Sequence, residues 1–111
     1  MRIWIKQNKY GNKKTNGYDS KKEHKRSLQL KQLQKEGKIS KLEEKKVFVL
    51  QEGFKNNQGK TQYPIHYTPD FCYIENGVEV AEDVKGFKTE VYKIKAKLFQ
   101  KKYPNIKFIE T

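Results

Sequence analysis

Apolar positions in this chain come in short blocks, and the change of period from block to block marks out the elements. After a brief apolar start at Ile3, Trp4 and Ile5, residues 8–17 are almost wholly Lys, Asn and Gly, with too few apolar groups to pack. This predicts a flexible basic arm over residues 1–17 and a folded domain over residues 18–111. Glu23, Ser27 and Leu30 then recur at spacings of four and three, with Leu33 near the same face. That periodicity predicts a helix over residues 21–36, with Ser20 as N-cap and Gly37 as its stop.

Strand-like runs follow. Lys46 to Leu50 reads as one strand, Asn56-Asn57-Gln58-Gly59 as a turn, and Gln62 to Tyr67 as the return. Phe71 to Glu75 and Val78 to Lys85 flank Asn76-Gly77, the strongest short signal for a tight hairpin, because both central residues of a type I′ turn need positive φ. Both faces of that hairpin are apolar: Cys72, Ile74 and Ala81 on one, Phe71, Tyr73, Val80 and Val84 on the other. A sheet coated on both sides calls for helices on both sides. Thr89 can cap a second helix over residues 90–102, with Tyr92, Ala96, Phe99 and Tyr103 on its core stripe, and Pro104 closes it before a last strand at 106–109. The expected fold class is therefore α/β, a single domain with an α-β-β-β-α-β core and a mixed sheet flanked by helices.

The hairpin register carries the chemistry. If Glu75 faces Val78, strand pairing carried outward sets Asp70 directly across from Asp83, with side chains roughly 5 Å apart. Two carboxylates that close repel unless a cation lies between them. Lys85 returns to the same face by the two-residue strand period. Carboxylates with an ammonium at the edge suit a hard divalent cation such as Mg²⁺ or Mn²⁺, which takes oxygen ligands and keeps several waters. Asp70, Asp83 and the backbone carbonyl of Val84 are the candidate metal ligands. Glu23 on the inward face of the first helix is a candidate outer ligand. It also fits a capping box with Ser20, and local sequence leaves the two roles level. Glu82 points to the opposite face and stays outside the pocket.

Charge narrows the partner. The 111 residues include 25 Lys and Arg against 13 Asp and Glu, a formal net charge of +12. Such a surplus favours a polyanion, and nucleic acid is the commonest. Lys93, Lys97 and Lys101 form a stripe on the second helix, and with Lys9, Lys13 and Lys14 of the arm they are the candidate phosphate contacts. Tyr10, Tyr18 and Phe87 are the aromatic residues available to touch a base or sugar. His24 and His66 are not spaced as a metal pair, and the single cysteine, Cys72, reads as an inert core thiol in a reducing compartment. No apolar run is long enough to span a bilayer, so the chain reads as cytoplasmic, with no membrane partner.

Pro69-Asp70, then Asp83-Val84-Lys85, preceded by a helix carrying Glu23, resembles the PD-(D/E)XK nuclease superfamily, and the expected element order is similar to its core. More narrowly, Tyr18-Asp19-Ser20-Lys21-Lys22-Glu23, Gly37-Lys38-Ile39-Ser40 and Glu82-Asp83-Val84-Lys85-Gly86 resemble a small phage-encoded family of unknown function within that superfamily, over residues from Asn8 to the C-terminus. The resemblance implies a restriction-endonuclease-like domain and a metal-dependent nuclease, with Asp70 and Asp83 as ligands, Lys85 as catalytic lysine and Glu23 as the helix acid. For a phage-encoded chain it implies the host cytoplasm as its place of action. The expected activity is Mg²⁺-dependent endonucleolytic cleavage of DNA. A domain this small has little surface for reading bases, so a branched DNA cut by a symmetric homodimer, as a Holliday-junction resolvase does, is the expected substrate class. Two other readings stand beside it: a noncatalytic nucleic-acid-binding module of the same fold, and a phage accessory protein that binds a host protein.

Overall fold

Ser20 begins the part of the chain that the computed structural model describes, residues 20–84 and 86–111. Its extended backbone and its Oγ, which accepts from the amide of Glu23, cap helix α1 (Lys21–Lys35). The helix stops where Gly37 takes a φ of 79°. There the amide of Lys38 donates to the Leu33 carbonyl and that of Gly37 to the Gln34 carbonyl. This is a Schellman closure, which needs the left-handed conformation that glycine adopts at little cost. Glu23, Ser27 and Leu30 are the buried residues of α1, the set its period predicts.

A four-stranded mixed sheet forms the centre, in the order β1 (Ser40–Glu44), β6 (Phe71–Glu75), β7 (Val78–Asp83), β8 (Lys107–Glu110). The first two pairings are antiparallel and β7–β8 is parallel. Helix α2 (Glu90–Lys102), capped by Thr89, makes the crossover that a parallel pair requires. Asn76 and Gly77 have φ of 52° and 76°, and Phe71 pairs with Glu82 and Glu75 with Val78, so the hairpin has the expected turn and register.

The two faces of β6 and β7 are packed separately. Leu30, Ile39, Phe71, Tyr73, Val80 and Val84 form a cluster on the α1 side. Phe48, Tyr67, Cys72, Ala81 and Phe99 form another on the α2 side. The described residues thus form an α/β fold, a single small domain with a mixed sheet and two helices. Cys72 is buried in that second cluster, and burial pushes its thiol up to about 12, in keeping with an inert core role.

The sequence reading places no strand between the first helix and Lys46, and the structure has one there. Strand β1, from the polar run Ser40-Lys41-Leu42-Glu43-Glu44, takes the sheet edge beside β6. An edge strand buries little on either face, so it carries no strong apolar alternation to read. The run at 46–50 contributes β2 (Phe48–Gln51), which pairs with β5 (Ile65–Tyr67) in the expected return. A second short pair, β3 (Phe54–Lys55) with β4 (Thr61–Gln62), lies beyond it around the turn at Asn56 to Lys60. Among the described residues, no helix is long and apolar enough to cross a membrane.

Candidate functional site

The carboxylates predicted from the hairpin register meet at the end of the sheet. Asp83 is the last residue of β7, held on its other side by the amide of Thr111, which donates to the Asp83 carbonyl at 2.9 Å. Asp70 immediately precedes β6, and its Oδ2 accepts from the amide of Val84 at 2.8 Å. That bond crosses the hairpin just past its last ladder pair and keeps the two acidic residues side by side. The Val84 group the structure brings to Asp70 is thus its N–H. Glu23 reaches the same place from the first turn of α1 and is only 3% exposed.

Two residues that sequence reasoning missed complete the cluster. Lys45, the residue after β1, donates from Nζ to Asp70 Oδ1 at 2.7 Å and lies 3.1 Å from Glu23 Oε2. Tyr67, the last residue of β5, donates its hydroxyl to Asp83 Oδ2. Once β1 is known to pair with β6, the Glu44–Phe71 pairing carries outward to place Lys45 beside Asp70, but a polar edge strand gives no such signal in the sequence. Tyr67 reads as one more core aromatic, and its ring does pack 5.1 Å from that of Phe99. Its hydroxyl is a second function on the same side chain.

The electrostatics follow from burial. Desolvation, then the charge of Asp70, raise the Glu23 carboxyl to about 7, against the opposing pull of Lys45. Desolvation also acts on Asp70, but hydrogen bonds from Lys45 and Asp83, the charge of Lys45 and the Val84 amide outweigh it and hold that carboxyl below its ordinary value. Burial alone would lower the Lys45 ammonium, yet Asp70 and Glu23 hold it above its ordinary value. Desolvation first, then the charge of Asp83, raise the Tyr67 phenol, so it stays a donor.

Of the two bonds of a capping box, the one from the Glu23 amide to Ser20 Oγ is made at 3.0 Å, while the Glu23 carboxylate is turned to Lys45. Glu82 lies on the opposite face, fully buried, as strand alternation requires. There it accepts from Arg26 Nε at 2.6 Å and Nη2 at 3.0 Å, from Tyr73 at 2.7 Å and from Thr111 Oγ1 at 3.0 Å. This is a closed structural network.

Among the described residues, no three His, Cys, Asp or Glu side chains converge as metal ligands. The donor set available is two adjacent carboxylates, Asp70 and Asp83, with Glu23 behind Lys45. One or two carboxylates completed by water and phosphate oxygen is the usual Mg²⁺ arrangement, so these residues fit that ion in kind. Lys93, Lys97 and Lys101 are exposed on α2, with Lys93 3.3 Å from Glu90, and Phe87, just beyond the site, is 86% exposed. Lys9, Lys13, Lys14, Lys85, Tyr10 and Tyr18, with the basic arm, lie outside the described residues.

Comparison with the curated proteins and with the solved structures gives no match. A family model does match, over residues 7–110, nearly the whole chain, including every element that builds the acidic cluster. The chain therefore belongs to the family described as a protein of unknown function, DUF1064.

Proposed function

We propose that this protein is a metal-dependent endonuclease that hydrolyses DNA phosphodiester bonds, on a core of the PD-(D/E)XK kind and with branched DNA as its substrate class. The observation that carries the reading is the placing of Asp70 beside Asp83 at one end of the sheet, with Glu23 joined to Asp70 through Lys45, in a chain with a large cationic surplus. Asp70 and Asp83 would hold the Mg²⁺ or Mn²⁺ ion, with the Val84 carbonyl as a further oxygen donor, and the ion would polarise the scissile phosphate and acidify a water.

The remaining work falls to the chain's own residues. The Val84 amide and Lys45 fix the Asp70 carboxylate from two sides, and the Tyr67 hydroxyl orients Asp83. Lys85 is the ammonium assigned to the attacking water or to the charge that grows on the phosphate. Glu23 anchors the outer side of the pocket. Lys93, Lys97 and Lys101 contact flanking phosphates, joined by Lys9, Lys13 and Lys14, and Phe87 offers a ring to an unstacked base, which a junction exposes and a regular duplex does not.

One observation favours a noncatalytic nucleic-acid-binding module instead: Lys45 already compensates part of the acidic charge, so the cluster can serve as a structural ion network. Incubation with plasmid, single-stranded, forked and four-way-junction DNA, with and without Mg²⁺ or Mn²⁺, separates the two. The nuclease cuts only with metal, and Asp70→Asn, Asp83→Asn and Lys85→Ala each abolish cutting while the fold persists. Binding without cleavage of any substrate, or full cleavage by both Asn variants, defeats the proposal.

A further inference from the structure

Lys45 is built into the acidic cluster at a conformational cost. Its φ is 59°, in the left-handed region. A residue with a Cβ pays roughly 1 kcal/mol or more there, while glycine does not and asparagine pays less. Lys41 in β1 has a similar φ of 52°, so what sets Lys45 apart is where its ammonium goes. Its own amide donates to the Asp70 carbonyl at 3.2 Å, and its ammonium lies 2.7 Å from Asp70 and 3.1 Å from Glu23. The side chain is 44% exposed, yet its charged tip is turned inward, onto carboxylates of which only 8% and 5% is exposed. That is the reverse of the usual lysine, which buries its stem and keeps its charge in water.

Resting on the metal-dependent reading, we infer that Lys45 is a built-in cation that takes the second cation position, between Glu23 and Asp70, and limits the site to one divalent ion at Asp70 and Asp83. Charge counting agrees. When ionised, Glu23, Asp70 and Asp83 carry three negative charges, and among the described residues the Lys45 ammonium with one divalent ion balances them. A second divalent ion beside the ammonium would leave the cluster positive by two charges, in a desolvated place where unbalanced charge is costly. Geometry agrees as well, because the ammonium is already seated against the Asp70 and Glu23 oxygens that a second ion would have to share.

The test is isothermal titration of the full chain with Mn²⁺. The wild type is expected to bind one ion per chain. Lys45→Gly, which removes the ammonium and relieves the left-handed backbone, is expected to bind two, and Lys45→Arg, which keeps a cation, one. If the glycine variant does not fold, Lys45→Asn, neutral and tolerant of positive φ, is expected to bind two. Adding Glu23→Gln to the neutral variant should return the count to one. Two ions in the wild type, or one in the folded neutral variant, would overturn the inference while leaving the metal site in place. No binding by the wild type would remove the metal-dependent reading itself, and the inference with it.

Discussion

Replacing Glu23 by Gln tests the site at the residue whose role the sequence leaves open. The side chain keeps its shape and loses its charge. In the wild type, burial and then the neighbouring Asp70 raise the Glu23 carboxyl from 4.5 to about 7. An acid whose folded value is raised binds more protons in the native state than in the unfolded one across that interval, so stability falls as pH climbs through it. Over the interval this amounts to about 3 kcal/mol at most. The Gln variant has no such titration, and Asp70 and Lys45 are common to both proteins. The variant should therefore gain on the wild type steadily from about pH 5 to about pH 8, by up to about 3 kcal/mol. Urea unfolding at several pH values measures the difference, with the slope against denaturant checked for constancy. A difference that stays flat, or that turns toward the wild type as pH rises, refutes the electrostatic account. Cleavage assays add the functional half: a capping residue tolerates Gln with activity kept, whereas the helix acid of the proposed nuclease does not.

The other predictions concern the residues around that carboxylate and the surface that meets substrate. Tyr67→Phe removes the hydroxyl that Asp83 accepts from and leaves a buried carboxylate oxygen short of a donor, so unfolding should cost about 1–3 kcal/mol less and cleavage should fall. An unchanged stability would show that Asp83 does not depend on Tyr67. Arg26→Ala takes the paired cation from the fully buried Glu82, which keeps only the Tyr73 and Thr111 hydroxyls, and should destabilise by about 3–5 kcal/mol in the same assay, while Mn²⁺ binding by the folded fraction is unaltered, because that network lies on the opposite face. A loss of metal binding in the folded protein would tie Glu82 to the site. Replacing Lys93, Lys97 and Lys101 together by Ala should weaken DNA binding and reduce the slope of log affinity against log salt by roughly three if all three meet phosphate. An unaltered slope would put the binding surface elsewhere.

Local and nearest-neighbour rules carried much of this protein in its sequence. Asn76-Gly77 has few accessible conformations, and the turn it makes fixes the pairing of Phe71 to Glu75 with Val78 to Glu82, hence the approach of Asp70 to Asp83. Both helix caps, at Ser20 and Thr89, and the inward face of α1 with Glu23 upon it follow in the same way from spacing and capping chemistry. What could not be read is what depends on contacts between segments distant in sequence. The polar edge strand β1 has no apolar period of its own and exists because it completes the edge of β6. The strand at 46–50 and its return at 62–67 were legible from the turn between them, but not that they pack against α2 outside the main sheet. Lys45 reaches Asp70 across that β1–β6 pairing, and Tyr67 reaches Asp83 from β5. The acidic pair was thus legible because one turn determines it, whereas the lysine and the tyrosine that complete the cluster are set by long-range packing that no local pattern encodes.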